Sequence, residues 1–178
     1  LRKIDTLALQ PFLNNLGGPI GRVDDGQPQF RFSPQRQPAI PRPDASFDAV
    51  RVDLIMAYPG ADSVLLDAAL AAGAHGIVVL GTGSGNPGRT LSDGIARAIA
   101  ANMVVALGTR TGTGPVLPIY GDGGAVDALA AGAISLGALP ATQGRMLLAL
   151  LLSRGDAAGA RHHLTELVGT HQQTTNKE

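Results

Sequence analysis

Gly76-Ile77-Val78-Val79-Leu80-Gly81 is the stretch on which the fold turns. Its four apolar residues stand between glycines with no polar alternation, which suits a short strand buried on both faces. Working outward, Val52 to Ala57 is a second short apolar run, broken by one Asp, and Val104 to Leu107 is a third, wholly apolar. The segments between them read as helices. Ser63 to Ala72 has Asp62 and Ser63 as N-cap candidates and Gly73 as the glycine after its last turn. Thr90 to Asn102 puts Leu91, Ile95, Ala98 and Ile99 on one stripe, with Asp93 and Arg97 as an i,i+4 pair outside it. Strand, helix, strand, helix, strand is the order of a parallel sheet with right-handed crossovers. Ala125 to Ala131, Thr142 to Ser153 and Asp156 to Val168 continue as helices, and Ala133 to Leu136 reads as a fourth strand.

Upstream the composition changes. Ile20 to Val23 and Gln29 to Phe32 alternate in polarity around Asp24-Asp25-Gly26, a hairpin signal. Residues 33–49 hold Pro34, Pro38, Pro41 and Pro43, a density that sustains neither a helix nor an interior strand, so an extended linker is expected. The residues from His171 onward are polar and expected to be disordered. The fold class is therefore α/β: a small open parallel β-sheet flanked by helices, Rossmann-like, preceded by a β-hairpin and a Pro-rich linker. The chain opens at Leu1 without Met, and Ile4, Leu7 and Leu9 are apolar from the outset. That suits the inside of a domain, so a piece of a longer chain is expected, with a processed product complete in itself as the alternative.

Composition narrows the function classes. Fourteen Lys and Arg balance fourteen Asp and Glu, which disfavours nucleic-acid binding by phosphate neutralisation and attraction to an anionic membrane surface. With no cysteine, the chain forms no disulfide, thiolate metal site or cysteine nucleophile. The longest apolar run, Met146 to Leu152, is far short of a bilayer span and reads as a buried core helix.

In an open parallel sheet, chemistry gathers in the loops beyond the carboxyl ends of the strands. Those loops are Tyr58 to Asp62, Gly81 to Arg89 and Gly108 to Gly124. The second contains Gly83-Ser84-Gly85-Asn86-Pro87-Gly88, a match to the dinucleotide fingerprint. Yet Pro87 removes an amide, and the strand Val104 to Leu107 ends without the acid that would hold a ribose. A nucleotide-binding α/β domain thus stays a minor alternative, and the glycines read more simply as close turns and close approach of another segment. In the third loop Thr109, Thr111 and Thr113 lie among glycines with no local base, so they are expected to bond their own turn. His162 and His163 are adjacent and point about 100° apart on a helix, and His75 and His171 are distant. Neither a metal site nor a cofactor is expected.

At these same loops the chain resembles a known family. The run Val52-Asp53-Leu54-Ile55-Met56-Ala57-Tyr58-Pro59-Gly60-Ala61-Asp62 is similar to the start of the C-terminal domain of bacterial-type L-asparaginases. The resemblance continues through Asp67 to Val78, Gly81-Thr82-Gly83-Ser84-Gly85-Asn86, Thr109-Arg110-Thr111-Gly112-Thr113-Gly114 and Tyr120-Gly121. It runs on through Gly132-Ala133-Ile134 to Arg145-Met146-Leu147-Leu148. Upstream, Lys3-Ile4-Asp5-Thr6 and Gly17-Gly18-Pro19-Ile20-Gly21 resemble the end of the family's first domain.

The resemblance implies an amidohydrolase acting on L-asparagine, and possibly L-glutamine, through a threonine acyl-enzyme. The family's Thr-Gly-Gly-Thr, Thr-Asp and Lys elements belong to the first domain and do not occur here, so no catalytic residue is expected in this chain. It also implies an organisation: 1–32 as the tail end of the N-terminal catalytic domain with a β-hairpin, 33–49 as linker, 50–168 as the C-terminal α/β domain, and 169–178 as a disordered tail. The expected partners are the missing N-terminal domain and further copies of the chain, as a dimer or tetramer. In the family this domain closes a neighbour's active site through an Asn in the first loop and a Glu in the third. Here the first position falls near Gly60 in a Tyr58-Pro59-Gly60 version of the loop, so contact would come from backbone or from Asp62. The second falls in Ile119 to Gly123, where Asp122 is the nearest acid. Tyr58, Gly60, Asp62 and Asp122 are thus the expected substrate-binding residues, Asp122 holding the α-ammonium. Gln143 stands where the family usually has Lys, and Pro140 is shifted by one residue. The alternative that the resemblance allows is the asparaginase-like subunit of a tRNA-dependent amidotransferase.

Overall fold

The computed structural model describes residues 2–13, 18–33, 38–40 and 42–173. The chain divides into two units, Leu1–Pro38 and Ala39–Glu178.

In the first unit β1 (Arg2–Lys3) pairs antiparallel with β2 (Phe12–Leu13), and β3 (Gly21–Asp24) with β4 (Gln27–Phe30). The β3–β4 turn is Asp25-Gly26, with φ of 47° and 75°. Two positive φ values define a turn whose twist matches the flanking strands, and Asp-Gly adopts it readily. Val23 lies opposite Pro28 and Gly21 opposite Phe30, so one face of the hairpin is apolar. That face is uncovered within its own unit, with Val23 and Phe30 both mostly exposed.

The second unit is built on four strands in the order β5 (Val52–Met56), β6 (Gly76–Gly81), β7 (Val104–Thr109) and β8 (Ile134–Ser135), all parallel. Ile77, Val78, Val79 and every residue from Val104 to Leu107 are fully buried. Successive side chains of a strand point to opposite faces, and this divides the core in two. Ile55, Ile77, Val79, Val105 and Leu107 pack with residues of α1 (Val64–Ala71), α2 (Arg89–Ala100) and α3 (Ala125–Ala130). Val52, Val78, Val104, Ala106 and Ile134 pack with residues of α4 (Ala141–Leu152) and α5 (Ala157–Gln173). Each large aliphatic side chain so buried contributes about 1.5–3 kcal/mol. The glycines at the strand ends let helices close in: a Cβ on Gly76 would meet Leu152 at 2.9 Å and Leu148 at 3.0 Å.

Four details differ from the sequence expectation. Arg97 pairs with Asp67 of α1 at 3.1 Å rather than with Asp93, because α1 and α2 pack side by side and bring a better-placed carboxylate. Residues 45–49, expected as extended linker, form a 3-10 helix capped by Asp44. Its Ser46 hydroxyl donates to the Ser153 carbonyl at 2.7 Å, and Arg154 donates to Asp44 at 2.6 Å, so the end of α4 supplies what the proline-rich sequence lacks. In α4, Leu148, Ala149 and Leu151 are buried, but Met146 is half exposed. The last helix continues past Val168 to Gln173, and the rest of the expected tail lies outside the described residues. Residues 34–37 and 41 of the expected linker also lie outside them.

Candidate functional site

Because all four strands run the same way, their carboxyl ends share one edge and the three loops leave from it together. The first begins at Ala57, fully buried, whose N–H donates to the Leu80 carbonyl at 2.9 Å and extends the β5–β6 ladder by one step. Tyr58 to Ala61 then turn sharply, with the Ala61 N–H donating to Tyr58 O at 2.9 Å and Gly60 at φ +82°. Proline second and a positive-φ glycine third is the residue order of a type II turn. The Tyr58 ring is half exposed above it. Asp62 accepts the Val64 N–H at 3.0 Å through Oδ1 and caps α1. Ser63, the other cap candidate, instead donates its hydroxyl to Asp67 at 2.8 Å.

The second loop folds back on itself. Thr82 N–H donates to Asn86 O, and the Gly85 and Asn86 amides both donate to Thr82 O. Two amides that a phosphate would need inside the fingerprint are therefore already used. The Asn86 Oδ1 accepts the Ala125 N–H at 3.1 Å and caps α3. A Cβ on Gly81 would fall 2.2 Å from the Gly85 carbonyl carbon, and one on Gly85 would fall 2.9 Å from Val116. The glycines serve close chain approach.

In the third loop the Thr109 hydroxyl donates to Gly83 O at 2.5 Å and lies 2.9 Å from the Thr111 hydroxyl. Thr109 Oγ1 also accepts the Thr111 N–H at 3.0 Å, and Thr111 donates to Thr113 O at 3.1 Å. Among the described residues no histidine, lysine or carboxylate takes part in this network. Arg110 donates its N–H to Gly81 O at 2.9 Å, and its guanidinium donates to Ala57 O at 3.1 Å. Further along, Asp122 has φ +57° and Gly123 φ +85°. The Gly123 N–H donates to Asp127 at 2.5 Å, and the Asp122 carboxylate forms an ion pair with Arg89, the first residue of α2. Both members are largely exposed.

Tyr58, Gly60 and Asp62 thus share one loop, and Arg110 ties the base of that loop to the start of the third. Asp122 stands on the same edge with Arg89; among the described residues no hydrogen bond or ion pair joins it to Tyr58, Gly60 or Asp62. Sequence reasoning assigned no role to Arg110 or Arg89. The partner of Arg110 lies 53 residues away in the chain, beyond the reach of any local pattern.

His75, His162 and His163 lie elsewhere. His75 Nδ1 accepts the Arg51 N–H at 3.2 Å, and His162 and His163 both face Glu166, at 3.4 and 3.6 Å. No cluster of three or more His, Cys, Asp or Glu among the described residues is placed to hold a metal ion. No helix among them is long and apolar enough to cross a membrane.

Comparison with known proteins bears on what this edge serves. Residues 51–164 match the glutaminase/asparaginase C-terminal domain. The chain is 37% identical over 160 residues to a probable L-asparaginase of Deinococcus radiodurans, covering 86% of this chain and 47% of that protein. It is 36% identical over 104 residues to L-asparaginase 2 of Bacillus subtilis, covering 58% of this chain and 26% of that protein. A 74-residue stretch, 41% of this chain, is 39% identical to the D-type subunit of the glutamyl-tRNA(Gln) amidotransferase of Methanococcus maripaludis, covering 18% of that protein. The chain spans less than half the length of these relatives.

Proposed function

This chain belongs to the glutaminase/asparaginase family, carrying the family's C-terminal domain at residues 51–164, and we propose that it is the C-terminal part of an L-asparaginase. The reaction is hydrolysis of the side-chain amide of L-asparagine, in which water adds to the carbonyl carbon, the C–N bond breaks, and aspartate and ammonia leave. The observation that carries the reading is a match whose span, residues 51–164, takes in all three carboxyl-edge loops. On this reading residues 1–32 are the tail end of the catalytic domain, 33–49 the linker and 50–168 the C-terminal domain.

The nucleophile comes from another polypeptide segment. The hydroxyls of Thr109 and Thr111 donate to the Gly83 and Thr113 carbonyls, which supports that division of labour. This chain contributes pocket walls to a neighbouring subunit in a homo-oligomer. Tyr58 covers the substrate with its half-exposed ring, Gly60 lets the first loop approach closely, and Asp62 fixes where that loop meets α1. Asp122 receives the substrate's α-ammonium, a charge-assisted bond worth about 1.5–3 kcal/mol.

Ammonia release tests this. The 178-residue chain alone is expected to release none from L-asparagine, while the complete protein turns over. In the complete protein Asp122→Asn is expected to raise KM at least about tenfold with little change in Tm, since an exposed ion pair contributes little to stability. Turnover by the isolated chain would refute the proposal. A second reading, supply of ammonia to a tRNA-dependent amidotransferase, is supported by the shorter match to the amidotransferase relative; ammonia release only in the presence of an acceptor protein would favour it.

A further inference from the structure

We infer that Arg110 is a positioning residue, holding the first carboxyl-edge loop at the angle from which Tyr58, Gly60 and Asp62 reach substrate. The inference rests on the asparaginase reading for its functional part and on geometry for its structural part.

Among the described residues β5 is an edge strand, hydrogen-bonded to β6 on one side. Its last ladder bond is the Ala57 N–H to Leu80 O. Beyond that point the sheet supplies no donor to Ala57 O, although Ala57 is fully buried. A buried carbonyl without a partner is costly. The guanidinium of Arg110 fills the gap at 3.1 Å.

Arg110 itself is fixed at two points. Its N–H donates to Gly81 O, at the end of β6, while its side chain reaches across β6 to β5. One residue therefore clamps the carboxyl ends of three neighbouring strands. Past Ala57 the first loop holds one internal turn bond, from Ala61 to Tyr58, before Asp62 caps α1. With Tyr58, Pro59 and Gly60 all exposed, the direction of that loop is set at Ala57. The bond asks for a donor that stays charged and reaches across a strand, which suits a guanidinium better than the shorter point charge of lysine.

The test has two arms. In the 178-residue chain, hydrogen exchange is compared for wild type, Arg110→Gln and Arg110→Lys. Arg110→Gln should speed exchange of the hydrogen-bonded Ala57 and Ala61 amides about tenfold, while the Ile77–Leu80 and Val104–Leu107 amides keep their protection; Arg110→Lys should restore part of it. In the complete protein, Arg110→Gln should raise KM for L-asparagine about tenfold and leave kcat within about twofold. Unchanged exchange, unchanged KM, or a fall in kcat at constant KM would overturn the inference. Loss of protection across the whole sheet in both variants would also overturn it, by making Arg110 a folding residue. A wild-type complete protein that hydrolyses no amide would sink the asparaginase reading instead, and the exchange arm would still decide whether Arg110 holds the loop.

Discussion

Thr109 and Gly81 show what single residues do at the carboxyl edge. The Thr109 oxygen both donates to Gly83 O and accepts from Thr111 N–H, so it stitches the third loop to the second. Replacing it with valine keeps the shape and removes both bonds, for a loss of about 1–2 kcal/mol in urea denaturation. Turnover of the complete protein should stay within a few-fold of wild type. A Thr109→Val protein that folds but has lost all activity would identify Thr109 as the nucleophile after all. Gly81→Ala acts differently, because its Cβ would collide with the Gly85 carbonyl 2.2 Å away. Overpacking against backbone costs about 1–3 kcal/mol, and a loss of unfolding free energy of about that size is expected in urea denaturation. The site was readable in part: the threonines' self-contained bonding follows from their glycine neighbours and the lack of a local base. Arg110 and Arg89 were not readable, since each acquires its partner only when distant loops meet at one sheet edge.

At the scale of elements, hydrogen bonds beyond the sheet decide how helices meet. Asp67 of α1 accepts from the Ser63 hydroxyl and from Arg97 of α2. The Ser63 hydroxyl first, and then Arg97, hold its carboxyl below the ordinary aspartate value of 3.8. A carboxylate lowered in the folded state adds stability above its unfolded pKa, and loses it as pH falls from there through the folded value. The Tm difference between wild type and Asp67→Asn should therefore be constant well above the ordinary aspartate value of 3.8 and shrink as pH falls below it. Added salt should shrink it, the pair being half exposed. A difference that does not shrink on acidification would locate its origin in packing. The strands were legible for a reason of the same kind: Ile77 to Leu80 and Val104 to Leu107 are covered on both faces, so no polar residue interrupts them. The 3-10 helix at 45–49 was illegible because its partners, Ser153 and Arg154, lie more than a hundred residues on. The Asp93–Arg97 pairing failed likewise: an i,i+4 rule sees one helix, and Arg97 answers to two.

The whole molecule divides unevenly between its two units. Among the described residues every buried hydrophobic side chain lies at Val52 or later. The first unit has two short antiparallel ladders and leaves Leu7 and Leu9 almost wholly in water. Ordering a residue costs about 1–2 kcal/mol of backbone entropy, and isolated two-stranded hairpins do not offset that alone. The apolar face of Val23, Pro28 and Phe30 therefore calls for a cover, which on the asparaginase reading is the rest of the catalytic domain. In the 178-residue chain by itself, trypsin should cut first at Arg22 and Arg31. It should leave a resistant product that begins at or after Phe32 and still carries Asp44, because the Arg42–Pro43 bond is not a trypsin site and the 3-10 helix is fastened to the end of α4. The uncut chain should self-associate in sedimentation, and the trimmed product should run as a smaller species with the same cooperative melt. If residues 1–38 resist the protease as long as the β5–β8 sheet, or the uncut chain is a monomer with one sharp transition, the first unit has found its cover within this chain, and the need for a separate catalytic domain to bury that face disappears.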